Sequence, residues 1–282
     1  MPRCQPGIFD KTLREHLFVE YVLGQQVEAG RLAEVLAGVA DLAGDKTQLV
    51  LALGPDLWAR LPGGFAFPGF ALEGLTSTQG DLLLWIQGET RADVVDLMQA
   101  AHRRLVTFGS VQLELPGFVY HDFRDLTGFV DGIGNPEGEK ARAAALVPTD
   151  AEGAAGSFML TQKWVHQLEA FHALPEGEQE RVFGRTKADA VEFDEDKMPP
   201  NSHVGRTDDA DNKIWRRSVP FASLDEQGLY FVAFSCAQSR FDVLLKRMYG
   251  QDEDGIVDRL THFSTPVMNS YWFAPAQDWF QR

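Results

Sequence analysis

The feature that most constrains this chain is a pattern that occurs twice. Residues 82–86 form an unbroken apolar run, and Val94, Leu97, Met98, Ala101 and Leu105 follow at helical spacing. Shifted by 147 positions, the pattern recurs: residues 229–234 are again strand-like, and Phe241, Leu244, Leu245 and Met248 take the i, i+3, i+4 and i+7 places. Both helical stretches close on basic residues, Arg103 and Arg104 in one, Lys246 and Arg247 in the other, which suits the negative end of a helix. The upstream parts correspond more loosely. Residues 16–23 alternate as a strand, Leu32, Val35, Leu36 and Val39 mark a helix, and residues 49–53 form a second strand. In the later half, residues 158–160 open a strand and residues 164–173 read as helix. Strand, helix, strand, strand, helix in each half predicts an α+β protein of duplicated ferredoxin-like domains, with antiparallel sheets and helices packed outside. The expected boundary is the polar, alanine-rich stretch 137–156, which divides an N-terminal domain, 1–145, from a C-terminal domain, 146–282.

Charge narrows the partners. The 282 residues carry 26 basic and 41 acidic side chains, a net of −15, so nucleic acid and anionic membrane surfaces are poor partners. Cationic or neutral small molecules suit this balance better. The two cysteines, Cys4 and Cys236, form no disulfide framework, which points to a reducing compartment. The opening Met1-Pro2-Arg3-Cys4 has no apolar signal region or twin arginine, and no apolar run is long enough to span a bilayer. A soluble cytoplasmic protein is expected.

Chemistry concentrates in two places. The first is the glycine-rich loop 124–136, which carries Asp131 between Phe129, Val130 and Ile133. Gly128, Gly132 and Gly134 permit backbone shapes and close approaches that a Cβ would block. A carboxylate on such a loop can be pressed against a flat ligand, where burial favours its neutral form and a nearby cation its charged form. Asp-Gly followed by Asn-Pro is also ordinary turn chemistry, so these residues alone admit a plain surface turn. The Gly-x-Gly is not a dinucleotide fingerprint, because no strand leads in and no helix of suitable glycine spacing leads out.

The second place is His203, which follows Pro199, Pro200, Asn201 and Ser202. Seven histidines are present, and His16, His166 and His172 fall in amphipathic segments without metal-ligand spacing. His203 differs in its neighbours: Arg185, Arg206, Arg216 and Arg217 surround it in sequence, a set suited to an anionic ligand such as a carboxylate or phosphate. The acidic runs near 194, 208 and 252 lack calcium-loop spacing, no Cys/His pairing fits zinc, and neither a Gly-x-Ser-x-Gly elbow nor a phosphate loop occurs.

Gly128-Phe129-Val130-Asp131-Gly132 resembles the Gly-x-x-Asp-Gly motif of the dye-decolourising (DyP-type) haem peroxidases. The likeness continues through Gln162-Lys163-Trp164-Val165-His166, Gly184-Arg185-Thr186-Lys187, Asn201-Ser202-His203-Val204, Arg216-Arg217-Ser218, Asp258-Arg259-Leu260 and Tyr271-Trp272-Phe273-Ala274-Pro275. Five residues are a weak signal; several motifs in order over nearly the whole chain are a strong one. The compact length resembles the smaller bacterial branch, often called class B.

The resemblance implies haem b, one per chain, held in the C-terminal domain, and oxidation of dyes, phenols or other small donors by hydrogen peroxide through a ferryl intermediate. His203 would be the proximal iron ligand, and Asp258 would accept a hydrogen bond from it. Asp131 and Arg216 would be the distal pair, with Asn135 positioning water or peroxide beside them. Ser218 would line the same pocket, Arg185 and Arg206 would face the propionates, and Gly132 would let the loop approach the haem. Of the two adjacent arginines, Arg216 is chosen on the Arg-x-Ser spacing, and Arg217 would then point to the other side of an extended strand. Met268-Asn269-Ser270 stands where a more glycine-rich turn is expected. Tyr120, Trp215, Tyr230, Tyr249 and Trp272 are candidate electron carriers, although aromatics in such places are more often core. Self-association as a dimer or higher assembly is expected, without a longer C-terminal tail for docking in a protein nanocompartment. Two rival readings share the residues: a haem-handling protein acting in delivery, storage or iron release with little turnover, and a haem-free ferredoxin-like binding module.

Overall fold

The computed structural model describes residues 2–24 and 27–281. Its first half runs β1 (Glu15–Leu23), α1 (Ala29–Ala40), β2 (Thr47–Leu53), α2 (Pro55–Trp58), β3 (Leu82–Gly88), α3 (Arg91–Leu105) and β4 (Gly109–Phe118), and α4 (Gly138–Ala145) follows. The second half runs β5 (Ser157–His166), α5 (Leu168–His172), α6 (Glu176–Phe183), α7 (His203–Thr207), β6 (Trp215–Arg216), β7 (Val219–Ala222), β8 (Gln227–Ser235), α8 (Ser239–Met248) and β9 (Ser264–Ala274).

The strand order shows the duplication directly. The path is β4-β1-β3-β2-β9-β5-β8-β6, with β7 also on β8. Within each half the fourth strand flanks the first, the first flanks the third, and the third flanks the second, so both halves have one antiparallel topology. They join at a single residue pair, Leu53 opposite Phe273. The repeat at 147 positions is thus β3–α3 repeated as β8–α8.

Alternation along the strands explains how the halves pack. On β1, Leu17, Val19 and Tyr21 face α1 and α3, while Phe18 faces the second half. On β8, Tyr230, Val232 and Phe234 meet that face, and Leu229, Phe231 and Ala233 turn toward α8. The two sheet faces therefore stack on each other, with Phe18 against Tyr230 at 4.1 Å between ring centres, and the helices lie outside. A strand covered on both faces reads as an unbroken apolar run, which is why residues 82–86 show no polar alternation. α3 begins at a capping box in which Thr90 and Asp93 exchange hydrogen bonds, and it ends on Arg103 and Arg104 as its dipole favours.

Two details differ from the sequence reading. Residues 164–166 continue β5, and the helix covers only Leu168–His172, because the period-two series Leu160, Gln162, Trp164, His166 outweighs a short helical match. Met268-Asn269-Ser270 lies within β9 and is not a turn. Asn269 is buried there, accepts from Gln162 through Oδ1 at 2.7 Å and donates through Nδ2 to the Thr76 carbonyl, work a glycine could not do.

Candidate active site

The loop that carries Asp131 is closed by its own backbone. Asp125 N–H donates to the Phe129 carbonyl, Gly128 N–H to Asp125, and Asp131 N–H to Phe123. Gly128 sits at φ +90°, a backbone conformation that L side chains rarely adopt, which is the reason for glycine there. The Arg124 guanidinium donates to the carbonyls of Gly128, Lys187 and Ala188, which staples the loop to the strand-poor segment beyond α6. Phe129 is buried and stacks on Phe183 at 3.9 Å, and Phe183 in turn lies edge-on to His203. One aromatic cluster thus sets the distance between the two motifs.

His203 opens the short helix α7. Ser202 caps it by accepting from Gly205 N–H, and the Thr207 hydroxyl closes it by donating to the His203 carbonyl. His203 Nδ1 donates to Asp258 Oδ2 at 2.7 Å, and Asp258 is fully buried, with Oδ1 accepting from Leu260 N–H. This pairing fixes the tautomer: Nδ1 carries the proton and the Nε2 lone pair is free for a ligand.

His203, Asp131, Arg216 and Arg185 all line one cavity that opens to solvent. Its walls are largely apolar, built by Leu229, Phe231, Phe241, Leu245 and Met248 from β8 and α8. Arg216 stands on β6, paired to Ala233. Asp131 has no hydrogen-bond or ion-pair partner for its carboxylate among the described residues. The Nε atoms of Arg185 and Arg216 are buried without a partner. Burial, and then the nearby Arg216, lowers the pKa of Arg185 from its ordinary value. Arg185 is a buried cation with an unused donor and, among the described residues, no carboxylate bonded to it, which suits an anionic ligand beside it.

Other expected residues stand elsewhere. Arg206 is buried away from the cavity, its guanidinium taken by Asp252, Asp254 and the Arg247 carbonyl; two carboxylates 46 and 48 positions on outcompete any free anion. Ser218 lines a neighbouring outer cleft and not the main cavity, because β6 ends at Arg216 and the chain does not keep the strand's alternation through residues 217–218 before β7 begins. Gly132, at φ +77°, lines the same outer cleft. Asn135 uses its amide on the Arg216 backbone, accepting from its N–H at 2.9 Å and donating to its carbonyl at 2.8 Å, so it holds the arginine rather than reaching into the cavity. Arg217 points the other way, as expected, and donates to the carbonyls of Gly7 and Ile8. Of the candidate electron carriers, Trp215, Tyr230 and Trp272 are buried core.

One polar group in the cavity was not anticipated. His166 lies at the end of β5, its Nε2 3.1 Å from Asp125 and its Nδ1 2.6 Å from the Ser264 hydroxyl, and all three line the cavity. Burial works to raise the Asp125 carboxyl, and the His166 ring with two hydrogen bonds from Thr127 outweighs it, leaving its pKa lowered. The signal was present in the period-two series ending at His166.

Comparison with known proteins decides the family. The "Dyp-type peroxidase, C-terminal" family matches residues 122–279. The chain belongs to the DyP-type peroxidases. It is 36% identical over 246 residues to the dye-decolorizing peroxidase of Mycobacterium tuberculosis, covering 82% of this chain and 73% of that one. Among solved structures, the encapsulated DyP-type peroxidase of Mycobacterium smegmatis superposes with a TM-score of 0.90 at 29% identity, over 99% and 98% of the two chains. DypB of Rhodococcus jostii gives 0.89 at 29% identity, over 100% and 99%, and a variant of that protein has been solved in complex with heme. A DyP-type peroxidase binds haem, and the residues here fit one: a largely apolar cavity, a histidine nitrogen held free, and the buried Arg185 cation for a propionate. Among the described residues no helix is long and apolar enough to cross a membrane.

Proposed function

We propose that this peroxidase uses one haem b per chain to reduce hydrogen peroxide at the expense of dyes, phenols or other small one-electron donors. The observation that carries the reading is the Nδ1–Asp258 hydrogen bond of His203, which aims a free Nε2 into a cavity that Asp131 and Arg216 also line. In this reading His203 Nε2 would hold the haem iron, Asp258 would increase its basicity, and Arg185 would bind a propionate. The bound haem would supply the redox centre that takes up oxidising equivalents from peroxide and passes them to the donors.

The rest is proton and charge handling by the chain. Asp131, free of competing partners, takes a proton from one peroxide oxygen and returns it to the other, so that the leaving group departs as water. Arg216 stabilises the negative charge that develops on that oxygen as the O–O bond breaks, a contribution of about 10²–10³ in rate for one preorganised donor. Asn135 holds the Arg216 backbone in register with the loop. The balance is one peroxide and two donor hydrogens to two waters and two one-electron-oxidised donors.

The test is stopped-flow absorption of haem-loaded protein with one equivalent of peroxide. The Soret band should fall rapidly and recover when a phenol is added. Asp131→Asn and Arg216→Leu should keep their haem and react with peroxide about 10²–10³ times more slowly. Native rates in both variants, or a Soret band indifferent to peroxide, would overturn the mechanism; the second result would favour haem handling.

A further inference from the structure

Between β4 and α4, residues 119–137 form neither strand nor helix, yet Thr127, Phe129, Val130 and Asp131 from this segment line the cavity of the second half. The Asp131 carboxylate, with no partner of its own among the described residues, stands wherever this backbone puts it. Part of the backbone is held against its preference. His121 and Phe123 sit at φ +46° and +67°, unfavourable for bulky residues and kept only where surrounding contacts over-determine them. Asp131 N–H donates to the carbonyl of that same Phe123.

Asp125 is the hub of the contacts that hold the loop. Its N–H donates to the Phe129 carbonyl, and its own carbonyl accepts from Gly128 N–H. Its Oδ2 accepts from Thr127, from the N–H at 3.2 Å and the hydroxyl at 2.7 Å. Its Oδ1 leaves the loop and meets His166 Nε2 at 3.1 Å. A carboxylate only accepts, so Nε2 carries the proton, and Nδ1 rests on the Ser264 hydroxyl at 2.6 Å, directly across the β5–β9 pair. The ring is thus clamped to the sheet on one side and to the loop on the other. Arg14 and Arg124 also tie the loop, through backbone carbonyls in exposed or half-buried places where water can take over a lost bond. His166 has no such substitute. The side chains of Asp125 and His166 are 10% and 6% exposed, and a carboxylate stripped of its partner there regains solvation only by leaving. Its backbone bonds would drag Gly128 and Phe129 with it.

We propose that His166 is a positioning residue for the peroxide reaction: by holding Asp125 it fixes the loop, and with it the place of Asp131 in the cavity. The assignment rests on the peroxidase reading for what Asp131 does, but the tether is measurable without peroxide.

The experiment compares His166→Gln with His166→Asn, both loaded with haem. A glutamine on β5 can set an amide N–H where Nε2 stands and keep Asp125; an asparagine reaches only the place of Nδ1, beside Ser264. Amide exchange in peptides spanning residues 123–131 should be about tenfold faster in the asparagine variant and close to parental in the glutamine variant. In stopped flow at matched haem content, the asparagine variant should react with peroxide about 10- to 100-fold more slowly, the cost of displacing a catalytic group by about 1 Å. The glutamine variant should recover the parental rate. The ferric Soret band should keep its position in both, because His203 and Asp258 are untouched. Asp125→Ala removes the tether without stranding a charge and carries the same expectations as His166→Asn should that variant fold poorly. A native peroxide rate or native loop exchange in the untethered chain, or equal slowing in the glutamine and asparagine variants, would each overturn the proposal; the last would mean that the packing of the ring matters and its hold on Asp125 does not. The two failures are distinct: a parent inert to peroxide sinks the peroxidase reading, whereas loop exchange reports on the tether in either case.

Discussion

At the residue scale the most consequential contact is the 2.7 Å hydrogen bond between His203 and the fully buried Asp258. It orients the ring and sets which nitrogen is free. His203→Ala should abolish the native Soret spectrum after haem loading. Asp258→Asn should keep a haem-bound spectrum while weakening haem retention about 10–100-fold in competition with apomyoglobin, the usual cost of losing such a partner. His203 stood out in sequence through its neighbours, but residues 55 positions apart carry no local signature, and Asp258 came only from family likeness. Arg206 shows the opposite failure. Sequence placed it near the histidine, and the fold supplied Asp252 and Asp254 to neutralise it. Nothing in a linear reading tells which cation a distant acidic loop will claim.

At the element scale the site is a loop and a strand end held in register. The amide of Asn135 hydrogen-bonds both the N–H and the carbonyl of Arg216 and so welds the Asp131 loop to β6. Asn135→Ala should leave the haem spectrum unchanged and lower the rate of peroxide reaction about 10- to 100-fold, since displacement of a catalytic group by about 1 Å costs that much; stopped-flow traces at matched haem content would measure it. The long strands and the helices after β3 and β8 were legible because their periodicity is strong. The short elements were not: α7 has five residues, and its helical form depends on the Ser202 cap and the preceding prolines more than on any repeat. His166 was assigned to a helix because two periods compete over a few residues, and only pairing with β9 decides between them.

At the scale of the whole molecule, the two stacked sheets bury ionisable groups between them. Glu20 on β1 accepts from the Tyr230 hydroxyl on β8 at 2.6 Å, and burial raises its pKa from 4.5 to about 7 despite that bond. The folded chain therefore holds a proton on Glu20 that the unfolded chain releases, so this group's contribution is complete below about pH 4.5 and is lost as pH rises to about 7. Glu20→Gln should gain stability relative to the parent by about 3 kcal/mol across that window, read as the difference between urea-unfolding free energies at each pH. His16 behaves in the reverse sense. Burial, and then Arg217, pushes it down to about 3, so its share of stability is lost as pH falls from about 6.5 to about 3. The duplicated topology has a consequence of its own. In the first half the crossover between the first two strands is α1, packed on the sheet. In the second half the same crossover, residues 167–214, swings outward and carries Arg185 and His203 with it, and the cavity occupies the sheet face beside α8. One copy of the fold keeps a closed interior, and the other completes its interior with a ligand. Ligand binding and folding are then linked by mass action through the second half and the 125–131 loop that reaches into it. Stripping the haem should lower the melting temperature and strip amide-exchange protection from β5, β8 and α8, while β1 to β3 exchange as slowly as before.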